Sequence, residues 1–390
     1  MGANQETRLK TTDFSFNDFP VLETFRNAAN MFVKNIDGET HLWAASRDWF
    51  MHEYGRDAFI SLPGLLLVNG RFEEAKSVFK RFARFENNGL IPNKIENNVA
   101  AYNSVDASMW FIHGLKRYVE YTHDAEFVDD MLPLLRRIVG AYKNGTSYEK
   151  YNKTLVIKMD EDGLLISPEQ GTWMDADAFG RTAPVTPRNG KVVEVNALWY
   201  DNLRFLTKFD NDYYPLADQV KKSFKKFWNK DENCLLDVIE GDSHGGAVRP
   251  NMLFAVTTDL LSKVKQKQVV SMVEKDLLTP GGLRTLSPRD SYYIGTYDTF
   301  LPFEQKDQAY HQGTVWPWLM GVYCDSLNIV GKFIKIREVI GPLVRFCLES
   351  KYKSLPEVFS GNYPYEPGGT TSQAWSIAEV LRVLVEHKIV

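Results

Sequence analysis

The sequence predicts an all-α fold, an (α/α)6 barrel: a toroid of six helical hairpins with long functional loops at one end. Two patterns predict it. Apolar residues recur at helical spacing along nearly all of the 390-residue chain. The connections between these segments alternate short and long, and a short link makes two helices antiparallel neighbours. No Pro/Gly/Ser-rich linker divides the pattern, so residues 1–390 read as one domain, with 1–19 a loosely ordered N-terminal extension.

The first segment, 20–36, places Val21, Leu22, Phe25, Ala28, Ala29, Phe32 and Val33 on one stripe. Segments 57–68 and 71–86 follow, separated only by Asn69 and Gly70; Phe72, Ala75, Val78, Phe79 and Phe82 line the second. Segments 103–122 and 126–144 are joined through 123–125, and 194–208 and 215–228 through 210–214. Residues 263–265 link 249–262 to 266–276, and 329–331 link 312–328 to 332–350. The last segment is 372–387. In 215–228 the apolar stripe is Leu216, Val220, Phe224, Phe227 and Trp228, which leaves Lys221, Lys222, Lys225 and Lys226 as a solvated face rather than an anion site. Six hairpins joined by six long segments put all the long segments (37–56, 87–102, 145–193, 229–248, 277–311 and 351–371) at the same end. Loops of that length inside a compact domain are usually functional. A helical repeat array is the competing architecture, but no self-similar period links the hairpins. Strand signals are confined to 154–158 and 164–167, which flank a turn at 160–163 and predict a hairpin inside a loop.

Composition removes several functions. Lys and Arg number 46 against 50 Asp and Glu, a formal charge of −4, without the basic footprint of a nucleic-acid binder. No apolar run reaches the roughly 18 residues that span a membrane. The N-terminal MGANQETRLK has no secretory h-region, and Cys234, Cys324 and Cys347 are few and far apart. Together these predict a cytoplasmic protein that partners neither nucleic acid nor membrane. There is no Walker A loop, GxGxxG or HExxH, and His41, His52, His113, His244 and His311 form no i,i+4 pair. No cofactor and no bound metal are expected. Oligomeric state is not encoded in any of these features.

The long loops share a vocabulary of Trp, Tyr, Asp, Glu, Arg, Asn, Gln and His among glycines. Examples are 171–177 (GTWMDAD), 284–290 (RTLSPRD) and 310–318 (YHQGTVWPW). Aromatic faces for sugar C–H surfaces, beside dense donors and acceptors for hydroxyls, suit a carbohydrate. Trp43, Trp173, Trp316, Tyr102 and Tyr310 lie in or beside these loops and read as a sugar platform, whereas most Phe fill helix stripes. Glycoside hydrolysis needs two carboxyl groups, one protonated and one ionised. The loops offer Asp57, Asp106, Glu169, Asp175, Asp177, Glu194, Asp290, Glu304 and Glu357, and residue chemistry alone does not choose two from nine. Asp175 stands two residues after Trp173, which would desolvate it. Glu357 follows Pro356 in the last long loop.

Several motifs, in order, resemble the catalytic C-terminal region of glycogen debranching enzymes, the amylo-α-1,6-glucosidase part. They are 55–68 (GRDAFISLPGLLLV), 89–93 (GLIPN), 102–111 (YNSVDASMWF), 171–176 (GTWMDA), 186–199 (TPRNGKVVEVNALW), 279–290 (TPGGLRTLSPRD), 310–318, 355–357 (LPE) and 373–382 (QAWSIAEVLR). The resemblance covers roughly residues 30–387 and implies an (α/α)6 barrel related to glucoamylases. It implies Asp175 as general acid and Glu357 as general base of an inverting exo-acting hydrolase. Such an enzyme releases glucose from α-1,6 branch points of glycogen-type or branched oligosaccharides, its expected partners. Carboxyl groups about 6.5–9.5 Å apart are expected of an inverting pair. Arg56 and Asp57 would grip the non-reducing glucose. Tyr102, Asn103, Asp106, Trp173, Glu194, Asn196, His311, Gln312, Trp316 and Gln373 would line its pocket. Residues 178–184 (AFGRTAP) have no counterpart in the pattern, and only about 35 residues precede the match, where family members carry a sizeable N-terminal region. A related inverting α-glycosidase for a small α-glucoside is the alternative, and a non-catalytic glucan-binding barrel a further one.

Overall fold

Burial sorts the helices into two kinds. The computed structural model describes Leu9, Phe16 and residues 20–178, 183–241 and 246–390; the remainder of the expected extension 1–19, and 179–182 of the unmatched segment, lie outside the described residues. Its helices are α1 (Val21–Asn30), α2 (Gly55–Leu65), α3 (Phe72–Arg84), α4 (Asp106–Thr122), α5 (Ala125–Asn144), α6 (Val193–Leu206), α7 (Tyr214–Ser223), α8 (Leu253–Val256), α9 (Lys263–Asp276), α10 (Phe303–Tyr310), α11 (Met320–Ile329), α12 (Phe333–Glu349) and α13 (Ala374–Glu386).

Six of these are buried nearly all round: every residue of α2 and α8, α4 from Asp106 to Ile112, most of α6 and α11, and α13 from Ala374 to Leu384. Six others bury one stripe and wet the other, as α3 does with Ala75, Val78, Phe79 and Phe82. The buried set forms an inner layer in which α2 packs on α4, α4 on α6, α6 on α8, α8 on α11, α11 on α13 and α13 on α2. The amphipathic set lies outside it: α3 and α5 on α4, α7 on α6, α9 on α8 and α11, α12 on α11 and α13, and α1 on α13 and α2. The tightest inner pair is α2 with α13. A Cβ built on Gly64 would sit 1.9 Å from the Ala378 carbonyl oxygen, so only glycine permits this approach. Between the layers the Phe59 ring meets Phe79, Phe82 and Phe111 at 4.9–5.3 Å, each pair adding roughly 0.5–1.5 kcal/mol beyond area burial.

The long connections are not bare loops, so the all-α expectation is corrected to a helix-rich fold with short strands. Nineteen strands occur among the described residues, nearly all in the long loops. The largest sheet is antiparallel and runs Leu278–Thr279, Gly282–Arg284, Val315–Trp316, Val358–Phe359, Pro367–Gly368, which ties three loops together. Segment 20–36 is helical only to Asn30. Val33–Ile36 pairs with Glu39–Leu42 around Asp37 (φ 53) and Gly38 (φ 82), the Asp-Gly hairpin turn. Segment 249–262 shrinks to a 3₁₀ turn plus the single turn of α8. Segment 312–328 becomes helical only after Pro317, because Val315–Trp316 joins the sheet. Helix α10 lies inside a stretch read as loop. The hairpin expected at 154–158 and 164–167 is present as Lys153–Met159 against Leu165–Ile166, with a third strand, Thr146–Lys150, on its other edge. Of the expected lysine face, Lys221, Lys222 and Lys226 reach carboxylates on or near the surface. Among the described residues no helix is long and apolar enough to cross a membrane.

Candidate active site

The inner helices deliver the site through their N-terminal ends. Arg56 and Asp57 occupy the first turn of α2, Asp106 begins α4 and Glu194 opens α6. Asn251 lies just before α8, Trp316 just before the turn leading to α11, and Gln373 directly before α13. Helix N-termini expose backbone N–H groups and favour carboxylates within the first turn. One ring of such termini therefore gathers acids where polar loops cross them.

Arg56 is 4% exposed and links two loops. Its Nε donates to both Asp106 oxygens at 2.8 and 2.9 Å, and its Nη1 to Asp175 Oδ2 at 3.0 Å. Its Nη2 is buried and unpaired among the described residues, an arrangement that desolvation makes costly unless a ligand accepts from it. Asp175, half-buried, is the partly open end of this chain of charges. Beside it, Asp57 Oδ1 accepts from Gln373 Nε2 at 3.3 Å. Burial pushes the Asp57 carboxyl up to about 7 against the pull of Arg56, and the charges of Glu357 and Asp175 push the same way. Those two carboxyls thus share its surroundings.

Glu357 is 2% exposed. Tyr310 donates its hydroxyl proton to Oε1, and the Thr370 backbone N–H donates to Oε2 at 3.0 Å. Thr370 Oγ1 in turn donates to Gln373 Oε1 at 2.7 Å, connecting Glu357 to Asp57. Burial raises the Glu357 carboxyl to about 7, and the two hydrogen bonds restrain the rise. Gly369 makes room: its φ is +70, and a Cβ there would lie 2.2 Å from Glu357 Oε2.

An aromatic and polar wall stands beside the carboxyls. The His311 ring stacks on Trp316 at 5.4 Å and meets Trp173 edge-on. It is fully buried, and neither ring nitrogen has a partner among the described residues. Burial first, then Arg249, Arg56 and Arg188, hold it well below the usual imidazole range, so it is neutral. Trp173 Nε1 donates to Asn251 Oδ1 at 2.9 Å, and Trp316 Nε1 to the Tyr310 carbonyl at 2.9 Å. Gln312 Oε1 accepts from Arg249 Nη2 at 2.6 Å.

The residues singled out in the sequence therefore divide. Arg56, Asp57, Asp106, Asp175, Glu357 and Gln373 form one connected cluster, with His311, Trp316 and Trp173 in a second that meets it at Tyr310. Asp175 pairs with Arg56 at 3.0 Å, and the Trp173 ring packs on Trp316, Trp318 and His311. Glu194 is clamped by Arg188 through two 2.6 Å bonds, and Arg188 also grips Asp237. Asn196 holds the Leu165 backbone through both N–H and carbonyl and also bonds Val192. Tyr102 donates to the Phe85 carbonyl at 2.5 Å, outside the cluster. Asn103 keeps a buried, unpaired Oδ1. Sequence reasoning misses Arg188, Asp237, Arg249, Asn251 and Thr370 as site residues. Arg188 lies inside the 186–199 motif and Tyr310 begins 310–318; for Asp237 no sequence signal exists.

The chain superimposes on a mannosylglycerate hydrolase of glycoside hydrolase family 63 from Thermus thermophilus (TM-score 0.65, 11% identity, 93% of this chain and 99% of that one). It also superimposes on a rhamnosidase from Klebsiella oxytoca (TM-score 0.62, 14% identity, 98% and 66%) and on an uncharacterized conserved protein from Thermus thermophilus (TM-score 0.68, 11% identity, 93% and 99%). The fold is thus that of a class of helical glycoside hydrolases. Within it the sequence is more specific: a family model described as amylo-alpha-1,6-glucosidase matches residues 26–382, and the chain belongs to that family. The glycogen debranching enzyme of Saccharomyces cerevisiae is 26% identical over 373 residues, covering 72% of this chain; the chain spans 24% of that enzyme's length.

Proposed function

We propose that the chain is a single-domain, inverting, exo-acting glycoside hydrolase that releases glucose from α-1,6-linked branch points of glycogen-type or branched oligosaccharides. The observation that carries this reading is one connected cluster: Arg56 bonds Asp106 and Asp175 and keeps a buried, unpaired Nη2, while Gln373 links Asp57 through Thr370 to Glu357. The inner cycle of helices, with α13 back on α2, supports a closed (α/α)6 toroid with this site at one mouth. Three buried, unpaired cysteines fit a reducing, cytoplasmic setting.

Asp175, the more open carboxyl, protonates the glycosidic oxygen as the glucosyl bond breaks. Glu357, oriented by Tyr310 and the Thr370 N–H, takes a proton from a water attacking C1 from the other face. Arg56 Nη2 and the His311 nitrogens meet sugar hydroxyls, which satisfies groups left unpaired among the described residues, and the Asp57 carboxyl meets a further hydroxyl. General acid catalysis contributes about 10²–10⁴-fold, so Asp175→Asn lowers turnover by that order with the fold intact. Proton NMR of the first product shows β-glucose; α-glucose as first product removes the inverting mechanism. Rates on isomaltose, panose, limit dextrin and trehalose assign the linkage.

A small α-glucoside substrate is the second reading. It is favoured by the near-complete mutual coverage with mannosylglycerate hydrolase, whose named substrate is small. Hydrolysis of trehalose or another small glucoside, with limit dextrin untouched, selects it.

A further inference from the structure

A cavity of about 560 Å³ lies between the Asp37–Gly38 hairpin, the C-terminal end of α3 and the Lys94–Ala101 hairpin. Its volume falls within the roughly 300–1,000 Å³ of ligand pockets. The strand Glu53–Tyr54 runs directly into Gly55 and the first turn of α2, which carries Arg56 and Asp57. Successive strand side chains point to opposite faces: Glu53 lines this cavity, while Tyr54 is raised by burial and then by the charges of Asp57, Glu96, Asp175 and Glu357. Chain continuity therefore sets Glu53 of the cavity three residues from Arg56 and four from Asp57, which makes the cavity a neighbour of the proposed catalytic cluster.

The floor is fixed. Arg81 Nε donates to both Glu53 oxygens at 2.9 Å, and His41 Nδ1 lies 3.0 Å from Glu53 Oε2. Arg81 and Glu53 are 5% and 4% exposed. Trp43 and Phe85 supply aromatic walls, with Lys34 over the Trp43 ring at 5.1 Å. Asn97 and Asn98 stand exposed at the lip in left-handed conformation (φ 50 and 60). The guanidiniums of Arg81 and Arg84 are already neutralised by Glu53 and Glu39, and Glu96 is paired with Lys94 and His52. A phosphate or carboxylate would have to displace these partners. A neutral polyhydroxyl chain would not, since it needs aromatic faces and already oriented donors and acceptors.

We infer that this cavity is an accessory site for an α-glucan chain, holding a segment of the polymer whose end enters the catalytic pocket. The inference deepens the glucan reading and rests on it, but its test does not depend on turnover. The full chain is run in native gels containing glycogen, with the catalytic pocket blocked by an iminosugar. The wild type is retarded, and maltoheptaose, but not inorganic phosphate, releases it. Trp43→Ala weakens the apparent affinity at least about tenfold. Asn97→Gly, which keeps the left-handed backbone without strain and removes only an amide, weakens it several-fold; thermal melts of both variants report folding. Equal retardation of both variants and wild type overturns the site, as does an unretarded wild type. Release by phosphate instead of maltoheptaose replaces the glucan by an anion and also overturns it. Glycogen retardation without hydrolysis of any glucoside leaves the site standing and removes the enzyme reading.

Discussion

Tyr310→Phe isolates one interaction that tunes the proposed base. The phenol donates to Glu357 Oε1, while the ring packs on His311 and Trp316 at 4.8 Å, contacts that a phenyl ring keeps. Burial raises the Glu357 carboxyl to about 7, and the Tyr310 hydroxyl is the first-ranked influence lowering it. The hydroxyl itself stays protonated throughout, because burial holds it well above its ordinary value. A hydrogen bond to a charged acceptor contributes about 1.5–3 kcal/mol, and a pKa unit corresponds to about 1.4 kcal/mol. Removing the hydroxyl therefore moves the acid limb of kcat/KM upward by about 1–2 pH units. The sign is fixed: the base must be ionised, the lost bond favoured the ionised form, so more alkaline solution is needed to restore it. The assay is kcat/KM across about pH 5–9 on whichever small glucoside the wild type cleaves. An acid limb that stays in place or moves down refutes the assignment of Glu357 as base.

Three further outcomes concern stability. Arg188→Met leaves Glu194 buried without its counter-charge and Asp237 with only Arg249 at 3.6 Å, and costs about 3–5 kcal/mol in urea unfolding. Gly64→Ala drives a methyl into the Ala378 carbonyl between α2 and α13; a loss of at least about 3 kcal/mol, or failure to fold, is expected. For Asp57, burial places the folded carboxyl at about 7 against an ordinary 3.8, so folding takes up a proton between those values. Its stabilising contribution is complete below about pH 4 and is lost as pH rises through about 7. Asp57→Asn abolishes that loss, flattening the pH dependence of the unfolding free energy by up to about 4 kcal/mol; an unchanged slope between pH 5 and 8 would contradict the raised carboxyl.

Helix periodicity is legible in the sequence because burial differs by layer. Stripes such as Ala75, Val78, Phe79 and Phe82 mark the outer helices, and near-continuous apolar runs such as 57–68 mark the inner ones. The strands are not legible. Pairs such as Val315–Trp316 and Val358–Phe359 are too short for alternation to register, and the partners of Val315–Trp316 lie 31 to 44 residues away. The early end of α1 is legible in principle through Asp37–Gly38, but the apolar stripe running to Val33 conceals it. Likewise, α10 carries a composition close to that of the loops around it, so nothing in its periodicity sets it apart.

The site shows the same division. Motif matches name Asp175, Glu357, Arg56 and Asp57, yet no sequence rule distinguishes Glu194, locked under Arg188, from Glu357, whose Oε1 is held by a phenol. Glu194 sits in the first turn of α6 and Glu357 in a polar loop, and both are about fully buried. What separates them is the partner. A bidentate guanidinium fixes a carboxylate as structure, because its lone pairs are already taken by a permanent cation. A neutral phenol and one backbone N–H leave the carboxyl titrating near about 7, able to take up and release a proton where a base must work. The charge of the partner, a three-dimensional property, is therefore what separates Glu194 from Glu357, and Asp175 stands between the two cases, with Arg56 on one oxygen at 3.0 Å and its carboxyl partly open.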